Sequence, residues 1–305
     1  MLRTLTATTA IALLLGAGSA LATPTVSGTL SVYVGNNTNG SSTTPLSSYG
    51  TADSAHTSWE GKFTGTAPAY LAGERAVYAD LNALTAGTNP ATATLTLGKN
   101  TPFTPITMVM DYTSGSATLS VRSTQSAGGH YSVESSADPY YNSSTANNYI
   151  LASVANLEMK FTGANHVHGV GFYLTDFADT SANDTSVTIY HTDGTSITYA
   201  LTDSGGCTAG TNCITTTTAA QTDAQNGAVT FIGLYDTNMM DRIVFSTTSG
   251  DAIGISNLEL AVPEPTSVAV LGAGLLALGA ARMRRKSAVA QPTDETGFDA
   301  EPALA

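Results

Sequence analysis

Two histidines at alternate positions, His166 and His168, and three aspartates close together, Asp176, Asp179 and Asp184, are the groups here best spaced to hold a cation. On a strand, alternate side chains share a face, so both imidazoles could meet one metal. A third ligand would be wanted a few residues on, but the chain offers Gly171, Phe172 and Tyr173. The other reading is a pair of partly exposed strand residues. The aspartates lie in "TDFADTSANDTS", residues 175–186. Calcium takes several carboxylate and carbonyl oxygens from flexible loops, although this spacing is not that of an EF-hand. The alternative is a solvated acidic turn. No other cofactor is expected.

Tyr131, Tyr140, Tyr141 and Tyr149 gather in a stretch otherwise rich in Ser and Asn. Flat rings with a polar handle, beside amides, suit either a sugar surface or the edge of a sheet. Cys207 and Cys213 are the only two cysteines, in "GGCTAGTNC". In an oxidising compartment such a pair is expected to form a local disulfide that pins a hairpin tip. A metal site lacks a second Cys or His pair nearby, and a redox pair is typically C-x-x-C.

Enzymatic motifs are missing. The sequence has no G-x-S-x-G elbow and no P-loop, and the Gly272–Ala277 match to G-x-G-x-x-A lies in an apolar stretch without a βαβ unit. Asp236 with Asp241 or Glu158 could be paired carboxylates for glycoside hydrolysis, but that chemistry depends on separations in space.

The elements that would position these groups are strands. Period-2 or β-branched segments recur at 29–34, 91–97, 106–112, 117–123, 156–161, 166–174, 186–191, 196–201, 229–235, 242–246 and 253–260. Asp193-Gly194 suits the tight turn of a hairpin. Residues 23–57 are Ser/Thr/Asn/Gly-rich with one expected strand, and no long capped helical repeat is found between 23 and 262. The expected fold is all-β, an antiparallel β-sandwich or jelly roll.

Charged residues are only 11% of the 305, and the net charge is −12. All of that excess sits between Thr23 and Val262, which hold 18 acidic and 6 basic residues. Nucleic acid is excluded as a partner, because phosphates need clustered Lys and Arg. At the N-terminus, Arg3, the apolar stretch 11–15 and Ala20-Leu21-Ala22 read as a secretory signal peptide cleaved after Ala22 to leave Thr23. Export would then use the Sec machinery.

Near the other end, Pro263-Glu264-Pro265 precedes residues 267–281, which carry no charge. As a helix they would span roughly 22 Å, short against a hydrocarbon core of about 30 Å. Arg282, Arg284, Arg285 and Lys286 follow, placing the C-terminal side in the cytoplasm. The chain continues through a tail with four acids and no base, expected to be disordered. The expected organisation is a signal peptide at 1–22, an exported β-sandwich domain at 23–262, an anchor segment with one short transmembrane helix at 263–286, and an acidic tail at 287–305.

Motif, apolar stretch and basic stop together resemble the PEP-CTERM sorting signal of Gram-negative bacteria. The same short segment also goes by the name ice-binding protein C-terminal domain, which implies nothing about ice. The resemblance implies recognition by exosortase, a membrane-embedded cysteine protease, and association with exopolysaccharide or biofilm. Residues 150–260 are similar to the jelly-roll ectodomains that often precede such tails. Where those often carry an Asp-Asn or Asp-Asp pair on the last strand this chain has Ser256-Asn257, so no role of that aspartate is carried over. The expected product is a non-enzymatic surface or matrix protein, membrane-anchored as a precursor, with polysaccharide as a partner. A carbohydrate-active enzyme on the same anchor and an unprocessed single-pass membrane protein are the alternatives.

Overall fold

Thr94 and Thr96 stand exposed while Ala93, Leu95 and Leu97 are buried, and the same beat runs through Ile106, Met108 and Met110 and through Leu157, Met159 and Phe161. Successive side chains of an extended chain point to opposite faces, so each segment turns one face to a core. A computed structural model of the protein describes residues 30–37, 43–63, 74–97, 106–114, 118–126, 128–133, 147–153, 155–162, 167–177, 185–202, 213–215, 227–246, 252–263 and 278. On these residues the protein is all-β in class, mostly antiparallel, with little helix.

The elements are β1 (Ser31–Asn37), α1 (Gly50–Glu60), β2 (Glu74–Tyr78), β3 (Ala93–Leu97), β4 (Ile106–Tyr112), β5 (Ser120–Arg122) and β6 (Tyr149–Ser153). They continue with β7 (Leu157–Thr162), β8 (Val167–Thr175), β9 (Thr185–His191), β10 (Ser196–Thr202), β11 (Cys213–Thr215), β12 (Val229–Ser246) and β13 (Ala252–Pro263). One long strand joins two wings. The first half of β12 pairs with β8 and β1, and its second half with β9 and β7, with a bulge between Met240 and Arg242. Wing one runs β1-β12-β8-β13-β6-β5, with β2 along the C-terminal half of β13. Wing two runs β3-β4-β7-β12-β9-β10-β11, where β10 and β11 are parallel. The main hydrophobic cluster draws on both wings, and Phe172 of β8 meets Phe245 of β12 edge-on at 5.9 Å. Each fully buried Leu, Ile or Phe there contributes about 1.5–3 kcal/mol.

In β13 the alternation slips. Ile253 and Ile255 join the main cluster, and then Leu258, Leu260 and Val262 do. The step from 255 to 258 is three residues, and the register with β8 shifts between Ser256 and Glu259. Asn257, at φ 44°, is the left-handed residue inside this bulge. The extra residue turns Glu259 to the opposite face, where α1 lies.

Helix α1 buries Ala52, Ala55, His56 and Trp59, the i, i+3, i+4, i+7 stripe of one helical face. Tyr49 offers no side-chain cap, but Asn37 Oδ1 at the end of β1 accepts from Ala52 N at 2.9 Å. The seat below is made by glycines. A Cβ on Gly233 would lie 2.6 Å from Trp59 Cγ, and one on Gly171 would lie 2.8 Å from Trp59 Cζ3. With those positions empty the indole lies on the strands, and its Nε1 donates to Leu234 O at 3.0 Å. Phe63, Tyr173, Phe231 and Tyr235 pack around it as a second cluster.

Two sequence expectations are corrected here. Residues 23–57 hold the start of a helix as well as a strand, and the helix was hidden because its buried stripe contains a histidine and two alanines. The segments expected as separate strands at 229–235 and 242–246 are one strand, β12. The tight turn at Asp193-Gly194 is present, with Gly194 at φ 85°. Among the described residues no helix is long and apolar enough to cross a membrane, and the stretch 267–281 lies outside them except for Leu278. The signal peptide and acidic tail also lie outside them. By backbone contacts the chain divides after Pro263.

Gly233→Ala is expected to cost about 1–3 kcal/mol by overpacking the indole seat. Urea denaturation followed by the emission of Trp59, the single tryptophan, measures it. Gly50→Ala, where nothing lies within 4 Å of a new Cβ, should change stability by under about 0.5 kcal/mol.

Candidate functional site

Beneath α1 the strand face carries a carboxylate where an apolar side chain would be ordinary. Glu259 is 0% exposed, brought there by the β13 bulge. His56 comes down from the helix onto it, and its Nε2 is in direct contact with Glu259 Oε1. One helical turn on, Glu60 Oε1 lies 3.9 Å from the same nitrogen. Residues four apart on a helix share a face, so α1 supplies both groups from one side. The three ligating atoms lie within 4.8 Å of one another, a grouping able to hold a metal ion.

The surrounding groups are held in turn. Tyr78 donates its hydroxyl to Glu60 Oε1 at 2.7 Å, and Tyr173 donates to Asp53 Oδ1 at 2.8 Å. Asp53, His56 and Glu60 therefore line one side of the helix. The His56 ring also packs against Phe231 and Tyr173, at 5.0 and 5.5 Å. Burial alone would lower the imidazole's pKa, but the Glu259 hydrogen bond and charge, with Glu60 and Asp53 behind them, raise it above its ordinary value. The Tyr173 phenol is pushed up, first by burial and then by Asp53.

Two other histidines meet acids. His130 Nε2 lies 3.1 Å from Asp176 Oδ2 and 2.8 Å from Ala252 O, while Nδ1 faces Ser126 Oγ at 2.7 Å. A carbonyl can only accept, so Nε2 donates and Nδ1 accepts from Ser126 in the neutral ring. His191 Nε2 lies 3.2 Å from Asp236 Oδ2, with Nδ1 on Thr195 Oγ1 at 2.9 Å. Hydroxyl, imidazole and carboxylate are the parts of a hydrolytic relay. Here the same arrangement occurs at two turns, each time with the hydroxyl four residues from the histidine and the acid on another element. It ties turns down.

The residues singled out from sequence fare differently. Asp176, one of the calcium candidates, is 4% exposed at φ 64° and faces His130; Asp179 and Asp184 lie outside the described residues. His168 is half-buried with its ring 6.3 Å from Tyr235, and His166 lies outside. Tyr131 and Tyr149 are buried and donate to Gly227 O and to Thr124 O and His130 O. They are interior braces, which corrects the sugar-surface reading for these two; Tyr140 and Tyr141 lie outside. Cys207 and the Cys213 side chain also lie outside, as do Ala20, Ala22, Thr23, Glu264, Pro265, Arg282, Arg284, Arg285 and Lys286. Pro263 closes β13 opposite Glu74. Of the carboxylates considered for hydrolysis, Asp236 holds His191 and Glu158 accepts from Arg242 Nη1 at 2.8 Å. Sequence reading missed His56, Glu60 and Glu259. The first two become a pair only once "SAHTSWE" is seen to be helical, and the third only once the β13 slip is counted.

His56→Ala is expected to destabilise the fold by about 3–5 kcal/mol, because it leaves the Glu259 carboxylate buried without its imidazole. The double variant His56→Leu/Glu259→Leu should recover much of that loss; equal losses in both would mean the two groups are not coupled. Urea midpoints provide the comparison.

A family model for the PEP-CTERM protein-sorting motif matches residues 261–286. That motif is a substrate signal for exosortase and implies export to the cell envelope or surface. No curated protein and no solved structure matches the chain.

Proposed function

We propose that this is a non-enzymatic surface or matrix protein, a jelly-roll-like β domain delivered by its C-terminal signal and associated with exopolysaccharide in a biofilm. The match at 261–286 is the observation that carries the reading. The signal peptide and the short apolar segment give the same topology, with the β domain facing outward and the arginines inside.

The outer face of wing two supports the polysaccharide partner. Thr94, Thr96, Thr107, Thr162, Thr188 and Thr198 stand on it, and the Arg242 guanidinium lies 4.1 Å from the centre of the Tyr190 ring. A sheet face rich in hydroxyls and carrying an aromatic ring can meet a sugar chain by hydrogen bonds and ring stacking. Asp236 and Glu158, each already engaged, are fixed parts of the fold in this reading.

Two measurements test it. Intact mass of the exported protein should show loss of the C-terminal segment in cells with exosortase and its retention in cells without; an unchanged C-terminus in both would leave a plain anchored protein. Binding to the producing cell's own exopolysaccharide should weaken about tenfold in Tyr190→Ala, the loss of roughly one aromatic contact, with the thermal transition preserved. Sugars released from that polymer would instead make the domain a carbohydrate-active enzyme.

A further inference from the structure

The trio under α1 has a composition that a plain ion pair does not need. One imidazole faces two carboxylates, Glu259 directly and Glu60 at 3.9 Å. With both acids ionised and His56 protonated, the three still carry one net negative charge, around a residue that is 0% exposed. A divalent ion bound by a neutral imidazole and two carboxylates brings that sum to zero.

We propose that His56, Glu60 and Glu259 form a binding site for one divalent transition-metal ion, zinc being the representative, which fastens α1 to β13. One nitrogen and two oxygens are a donor set zinc accepts, and three protein ligands are the number found in zinc sites that keep a position open. Hard cations such as calcium prefer all-oxygen shells, so the imidazole favours a transition metal. The ligands come from two elements, and α1 is already held on the same sheet by the Trp59 bond to β12. The site also has outer support, since Tyr78 donates to a Glu60 oxygen that retains a second lone pair. Binding requires the His56–Glu259 contact to open by side-chain rotation while the backbone stays in place. Glu60, with its side chain 25% exposed, gives the ion its route in.

The test uses the untagged full chain and zinc, followed by elemental analysis after dialysis, titration calorimetry and thermal denaturation. The comparison is with Glu60→Gln, chosen because its side chain is partly exposed and glutamine keeps an acceptor for Tyr78. Wild type should retain about one zinc per chain and gain about 5 °C in Tm with zinc in excess. Glu60→Gln should fold with a similar metal-free Tm, bind at least ~100-fold more weakly and show little zinc-dependent gain. Absence of stoichiometric zinc in the wild type overturns the proposal. Equal affinity in the two chains also overturns it, because the ion would then sit elsewhere.

Discussion

The indole of Trp59 lying on bare strand backbone is the interaction on which the rest of wing one depends. Gly169, Gly171 and Gly233 leave a floor with no side chains, and the Nε1 bond to Leu234 O fixes the ring on it. A buried donor without its acceptor would cost about 1–3 kcal/mol, so the bond fixes position as well as adding stability. Once Trp59 is down, helical geometry places His56 over Glu259 and leaves Glu60 at the edge. The bulge at Asn257 does the matching work from below, turning one carboxylate out of the core and under the helix.

A second pattern concerns how a chain poor in charge joins its parts. With 11 Lys and Arg among 305 residues, cations for buried acids are scarce. Among the described residues, three buried acids instead meet histidines: Glu259 with His56, Asp176 with His130 and Asp236 with His191. Each join links a histidine to an acid from a distant part of the chain. Imidazole is a smaller, partly apolar partner that packs against aromatic neighbours, as His56 does with Phe231. The arginine whose partner is clear, Arg242, is on the solvent face instead, between Glu158 and Tyr190.

Most of the sheet was legible in the sequence because strands such as β3 and β7 turn one face to solvent, so polar and apolar residues alternate as in "ATLTL" of β3. The centre of wing one, formed by β8, the first half of β12 and β13, is buried on both faces, and "VHGVGFYLT" of β8 accordingly shows no alternation to read. Its glycines look like breaks until the helix they seat is known. Short β2, β6 and β11 lacked enough residues to display a period. The polar trio was illegible for a related reason: it is assembled from a helix near residue 56 and a bulge near residue 257, and neither has a local signature that points to the other. The sorting motif was the opposite case, since all its parts are adjacent along the chain.

That motif and the fold share letters. The matched segment begins at Ala261, while β13 runs to Pro263, so Ala261, Val262 and Pro263 belong to both. Ala261 pairs with Ala76 on one side and Gly169 on the other, and Val262 pairs with Arg75. Genetics at these three positions is therefore ambiguous in itself. A substitution there that abolishes surface display has two equal explanations, a lost address or a sheet that has let go of β2, and only a stability measurement on the same variant separates them. For the same reason, a shortened chain meant to yield the β domain alone has to end no earlier than Pro263.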